Sequence, residues 1–159
     1  MSSILDLKPE KLWFYFNEIC NIPHPSGKEE KISQYLVNFG KRLNLETSSD
    51  EVGNVLIRKP AFKGYENAPA VILQSHMDMV CEKNEGTVHN FEKDPIKTYI
   101  DGDWVKAEGT TLGADNGIGV AAMLAILADN TLKHPAIDCI FTVDEERGLT
   151  GAQHVCADW

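Results

Sequence analysis

Apolar positions recur along the chain with two different periods, and the switches between them predict its elements. Beyond Pro9, which suits the first turn of a helix, Leu12, Tyr15, Phe16 and Ile19 fall at helical spacing. The stretch Asn21-Ile22-Pro23-His24-Pro25-Ser26-Gly27 is a loop, because two prolines and a glycine exclude a regular helix. A second helix follows over Lys28 to Leu43, with Ile32, Tyr35, Leu36 and Phe39 on one face. Two short strands, Leu45 to Thr47 and Asn54 to Arg58, flank the turn-rich Ser48 to Gly53. Ala70 to Ser75 is a short, mostly apolar run, the pattern of a central strand buried on both faces. Thr98-Tyr99-Ile100 and Trp104-Val105-Lys106 bracket Asp101-Gly102-Asp103, a hairpin signal. After Gly117 a helix carries Val120, Ala121, Met123, Leu124 and Leu127, and Ala136 to Val143 reads as a second interior strand. Strands alternating with helices make this an α/β chain.

Three polar clusters interrupt that pattern. Ser75-His76-Met77-Asp78 and Val143-Asp144-Glu145-Glu146 follow the two interior strands, and Gly109 to Gly117 opens a helix around Asp115. Ligands in open α/β sheets gather at the carboxyl ends of strands, so the three clusters are expected to meet in space. His76 and Asp78 are two residues apart, which on an extended segment points both side chains to one face. A neutral imidazole is a good metal ligand, and a carboxylate accepting its other N–H fixes the tautomer. The same pair also serves to close a strand end by a buried hydrogen bond. Asp115 fits a helix N-cap, but Gly109, Gly113, Gly117 and Gly119 around it permit close approach of backbone and ligands. A carboxylate there can also bridge two cations. Asp144, Glu145 and Glu146 put three acids side by side, which is unfavourable unless they are solvated, as in an exposed turn, or neutralised by a cation. One histidine with several carboxylates suits a hydrolytic zinc or manganese site, in which a nearby glutamate takes a proton from water.

Composition narrows the class without changing this picture. With 159 residues, 43% hydrophobic and 25% charged, the chain has the makings of one globular domain with a buried core. A net charge of −9 argues against nucleic acid or an anionic membrane surface as a partner. No run approaches the ~18 apolar residues that span a bilayer, and no apolar run of the signal-peptide kind follows the N-terminus, which is broken by charge and by Pro9. The four cysteines, Cys20, Cys81, Cys139 and Cys156, lie far apart with no C-x-x-C pair, so a cytoplasmic protein with reduced, packed thiols is expected.

Ser75-His76-Met77-Asp78-Met79-Val80, the Gly109 to Gly119 stretch and Asp144-Glu145-Glu146-Arg147-Gly148-Leu149-Thr150-Gly151-Ala152 together resemble the three N-terminal motifs of the M20 metallopeptidases. The similarity is to the aminoacyl-histidine dipeptidase branch, and Ile22 to Gly27 resembles that branch's N-terminal loop. The resemblance implies a zinc-peptidase-like catalytic domain, a mixed and mostly parallel sheet flanked by helices, of which 1–159 is the N-terminal part. It implies His76 as ligand to one metal, Asp115 as the carboxylate bridging two, and Glu146 as ligand to the second. Glu145 would be the general base, Asp78 would orient His76, and the Asp115–Asn116 peptide would be cis. The cofactors implied are two divalent ions, zinc foremost, with cobalt or manganese as alternatives. The substrate implied is a dipeptide, Xaa-His among others, and the full-length form a homodimer. Family members bring a further Asp ligand, a late His ligand and a lid domain beyond the span of this chain, so the 159 residues alone are expected to be weak or inactive. Arg147 departs from the family, which more often has a small or neutral residue there. Two other readings stand beside this one: another M20-type amidohydrolase, such as an aminoacylase or tripeptidase, and an inactive fragment acting as a binding module.

Overall fold

The computed structural model of the chain describes residues 3–155 and 158–159. After a short 3-10 turn at Ile4–Asp6 come α1 (Glu10–Cys20), α2 (Glu30–Arg42), β1 (Glu46–Ser49), β2 (Val55–Lys59), β3 (Val71–His76), β4 (Thr98–Asp101), β5 (Trp104–Ala107), α3 (Ala114–Leu127), β6 (Ile137–Thr142) and α4 (Thr150–His154). Pro9 sits just outside α1, at its N-cap, where its lack of an N–H costs the helix nothing. Of these elements the apolar pattern leaves out the N-terminal turn and α4, both too short to show a period.

One four-stranded sheet, ordered β1-β2-β6-β3, carries the fold, and β4 and β5 form a separate hairpin. The sheet is mixed and flanked by helices, as expected. Its balance differs from the expectation: β1–β2 and β2–β6 are antiparallel and only β3–β6 is parallel. The parallel pairing needs a long crossover, which α3 provides between β3 and β6.

The expectation of a central, doubly buried β3 is corrected. β3 is an edge strand with β6 as its only strand partner among the described residues, and Val71 and Ile72 are exposed while Ser75 and His76 are buried. An apolar run reports a tendency to be covered, not how many neighbours a strand has. Here cover comes at the C-terminal half, where α3 lies so close that a Cβ on Gly119 would collide with the Ser75 hydroxyl.

The core gathers Phe16 and Ile19 from α1, Ile32 and Leu36 from α2, and Val55, Ile57, Cys139 and Phe141 from the sheet, with Val120 and Leu124 from α3. Lys59, at the end of β2, donates from Nζ to the carbonyls of Ile126 (2.8 Å), Leu127 (3.1 Å) and Asp129 (2.5 Å). A cation on the carbonyls of the last helical turn ties the C-terminus of α3 to the sheet. Among the described residues no helix is long and apolar enough to cross a membrane. Cys20, Cys81 and Cys139 are free thiols, and burial pushes Cys20 and Cys139 up to about 12 and Cys81 up to about 11, which suits packing over reactivity. Cys156 lies outside the described residues.

Candidate metal centre

Parallel pairing of β3 with β6, His76 opposite Thr142, brings both carboxyl ends to the same edge of the sheet. The chain leaving β3 stays extended along the Pro23–Gly27 loop, where Met79 N donates to His24 O (3.2 Å) and Ser26 N to Met79 O (3.3 Å). The chain leaving β6 turns sharply through Asp144, whose φ of 52° is left-handed. That turn is closed by Leu149 N donating to Glu145 O (2.9 Å) and Thr150 N to Asp144 O (3.1 Å). The third cluster arrives from α3. Gly113 is left-handed at φ 72°, and a side chain there would press on the Met79 sulfur. Asp115 and Asn116 have non-helical dihedrals, and the peptide between them is cis. The Asp115 side chain is largely exposed, and its Oδ1 lies against the His76 ring.

All three clusters meet. His76 Nε2 lies 3.0 Å from Asp115 Oδ1 and 3.8 Å from Glu145 Oε2. His76, Asp115 and Glu146 each offer a ligand atom within 4.8 Å of the others. The imidazole is buried, while the Asp115 side chain is 87% exposed, so the site opens to solvent on its acidic side. Behind the ring, His76 Nδ1 is 3.1 Å from the Asp78 carbonyl and 3.3 Å from Asp78 Oδ1.

Asp78 is buried and fully engaged. Its carboxylate accepts from Ser26 Oγ (2.7 Å) and from the backbone N–H of Glu145 (3.0 Å) and Glu146 (3.3 Å). Burial alone would raise this acid, but hydrogen bonds from His76, the Glu145 N–H and Ser26 outweigh it and hold the carboxyl below the usual range. Burial likewise would lower His76, but hydrogen bonds to Asp78 and Asp115 and the fields of Asp78 and Glu145 push it up to about 9. Glu146 is raised by desolvation and by its neighbours Asp115, Glu145 and Asp78. An imidazole facing several carboxylates in this way is a site short of positive charge.

The donor set fits a divalent cation. Ligand atoms around a tetrahedral zinc stand about 3.3 Å apart, close to the 3.0 Å separating His76 Nε2 from Asp115 Oδ1. A second acidic trio, Glu29, Asp78 and Asp144, is equally compact but differs in kind. Glu29 Oε1 accepts from the N–H of Gly27 (2.6 Å) and Asp144 (3.1 Å), and the Asp144 carboxylate accepts from Arg147 Nε (2.5 Å) and Thr150 Oγ1 (2.7 Å). Each of these carboxylates accepts from protein donors, so this trio frames the site. Ser26, Glu29, Thr150 and the buried Asn54 are functional supports that sequence reasoning missed. Asn54 accepts from Val143 N (3.0 Å) and donates to Gly151 O (2.9 Å), pinning the end of β6. A polar residue directly before an apolar strand was the only signal for Asn54, and it is a weak one.

Residues 72–159 match the family model of peptidase family M20/M25/M40. The chain is 52% identical over its whole length to the cytosol non-specific dipeptidase of Escherichia coli K12, of which it covers 33%. It superposes on aminoacylhistidine dipeptidase from Vibrio alginolyticus with a TM-score of 0.97 at 52% identity, covering 99% of this chain and 32% of that one. A tripeptidase from Staphylococcus aureus aligns with a TM-score of 0.76 at 27% identity, over 94% of this chain and 40% of its own. The chain thus spans about a third of the length of the two relatives it matches at 52% identity. On the motif-bearing half of its sequence and on its fold, the chain belongs to peptidase family M20/M25/M40.

Proposed function

We propose that residues 1–159 form the N-terminal part of the catalytic domain of a cytoplasmic metallo-dipeptidase that hydrolyses dipeptides, Xaa-His among them. The observation that carries this reading is the convergence of His76, Asp115 and Glu146 on one point with Glu145 beside them. The 52% identity to a dipeptidase over the whole chain supports the substrate class. His76 would hold one divalent ion, Glu146 a second, and Asp115, whose exposed carboxylate faces the His76 ring, would bridge them. Zinc is the ion we infer, with cobalt or manganese able to take the same donors. When bound, such ions supply Lewis acidity toward a peptide carbonyl and lower the pKa of a water.

The chain's own residues then have distinct tasks. Asp78 holds the Nδ1 side of His76, so that Nε2 presents its lone pair to the open face. The same carboxylate grips the backbone N–H of Glu145 and Glu146 and fixes both side chains at the strand end. Glu145 Oε2, 3.8 Å from His76 Nε2, accepts the proton of the attacking water and returns it to the leaving amine. Three donors are fewer than two ions need, so we infer that further ligands belong to the full-length enzyme, and from the family resemblance we propose a lid domain and a homodimer for it.

The test is Glu145→Gln in the full-length enzyme, which keeps the shape and removes the base. Turnover of Xaa-His dipeptides should fall by about 10²–10⁴-fold. Wild-type turnover would sink the assignment. The likeness to the S. aureus tripeptidase favours a second reading, tripeptide hydrolysis. Assaying dipeptides, tripeptides and N-acyl amino acids side by side separates the two, and an aminoacylase as well.

A further inference from the structure

Arg147 occupies a position that the proposed reaction does not use, yet it makes two contacts of a kind no small residue could. Its Nε donates to the Asp144 carboxylate at 2.5 Å, across the turn that carries Glu145 and Glu146. Its guanidinium lies flat on Gly27: a Cβ on that glycine would collide with Cζ and both terminal nitrogens. Gly27 is left-handed at φ 80°, so the loop is shaped to leave this room. Arg147 therefore bridges the N-terminal loop and the strand-end turn from outside.

What lies beneath it gives the contact its meaning. Glu29, Asp78 and Asp144 bring carboxylate oxygens within 4.8 Å of one another, and all three residues are buried. Three buried acids at that spacing repel one another and lose hydration, a cost that hydrogen bonds from N–H and O–H groups offset only in part. The trio is also the scaffold of the site. Glu29 holds the backbone of Gly27 and Asp144, and Asp78 holds the backbone of Glu145 and Glu146 and the ring of His76. A displacement of any of these acids moves a ligand.

We propose that Arg147 is a positioning residue whose guanidinium offsets the charge of the Glu29–Asp78–Asp144 trio and clamps the Glu145–Glu146 turn against Gly27, so that His76 and Glu146 are set for a divalent cation. This rests on the metal-centre reading above. Arginine suits the task because its planar fork both stacks on the exposed glycine backbone and keeps its charge in every relevant condition.

The experiment measures Zn²⁺ affinity of the full-length enzyme by competition with a chromogenic chelator, together with the urea midpoint of its metal-free form. Arg147→Gln should weaken zinc binding by roughly tenfold or more, as losses of supporting partners around metal ligands do. The deciding variant adds Glu29→Gln, which removes one buried charge and keeps an oxygen to accept both N–H groups. E29Q/R147Q should recover at least half of the lost affinity on a logarithmic scale, a rescue that loss of packing alone would not produce. If R147Q fails to fold, the double variant must fold, and its failure overturns the proposal. Parent-like zinc affinity in R147Q, or no recovery in the double variant, also overturns it. A full-length parent that binds no zinc would instead remove the metal-centre reading, and this inference with it.

Discussion

Two oxygens on Asp78 serve four donors: Ser26 Oγ, the N–H of Glu145, the N–H of Glu146 and, at 3.3 Å, His76 Nδ1. At this scale the site is a small charge-balance problem, and it has a pH signature. With no cation present, His76 is held protonated among carboxylates, its pKa pushed up to about 9 against an unfolded value near 6.5. A raised folded pKa means that the stabilisation is fully present below about pH 6.5 and is lost as pH rises through about 9. The thermal midpoint of the chain, kept metal-free with a chelator, should therefore decline across that window. His76→Gln should flatten the decline, and an unchanged slope in that variant would contradict the assignment. The sequence made His76, Asp78, Asp115, Glu145 and Glu146 legible because each is a chemically distinctive residue at a boundary between patterns. It hid Ser26 and Glu29, since their roles consist of partners more than 50 positions away along the chain, such as Asp78 and Asp144.

Among the elements, α4 had no signal in the apolar pattern, yet it supports the strand end from which the glutamates hang. Its first turn packs directly on the backbone of β6's exit: Gly151 N donates to Val143 O at 3.0 Å, and a Cβ on Gly151 would meet Val143 N at 2.6 Å and Asn54 Oδ1 at 2.5 Å. Backbone cannot step aside as a flexible side chain can. Gly151→Ala is therefore expected to destabilise the chain by roughly 1–3 kcal/mol, the usual range for overpacking. Urea unfolding checks this, and a midpoint equal to that of the parent would show that the turn has more freedom than the contacts indicate. The long helices were predictable because Leu12, Phe16 and Ile19, or Ile32, Leu36 and Phe39, repeat a period. A five-residue helix such as α4 has too few turns to repeat anything, and is held by tertiary contact alone.

For the molecule as a whole, the sheet has one vulnerable side. β3 ends the order β1-β2-β6-β3, and Ile72 on it is 65% exposed beside exposed Val71. An apolar strand with an open hydrogen-bonding edge is a template for pairing with another copy. The 159-residue chain should associate with rising concentration, and Ile72→Lys should reduce that association as followed by light scattering. Equal scattering from both would locate the contact elsewhere. Local order follows from the sequence by itself: helix periods, turn residues, the hairpin at Asp101-Gly102-Asp103 and the three chemical clusters are properties of neighbours along the chain. Strand order and the place of β3 at the edge of the sheet among the described residues were decided only by the tertiary structure, because an apolar run has the same composition at a sheet's edge as at its centre. The convergence of the clusters needed both. Sequence put His76 and Glu145 at strand ends, but only the parallel pairing of β3 with β6, with α3 crossing between them, brought those ends together around Asp115.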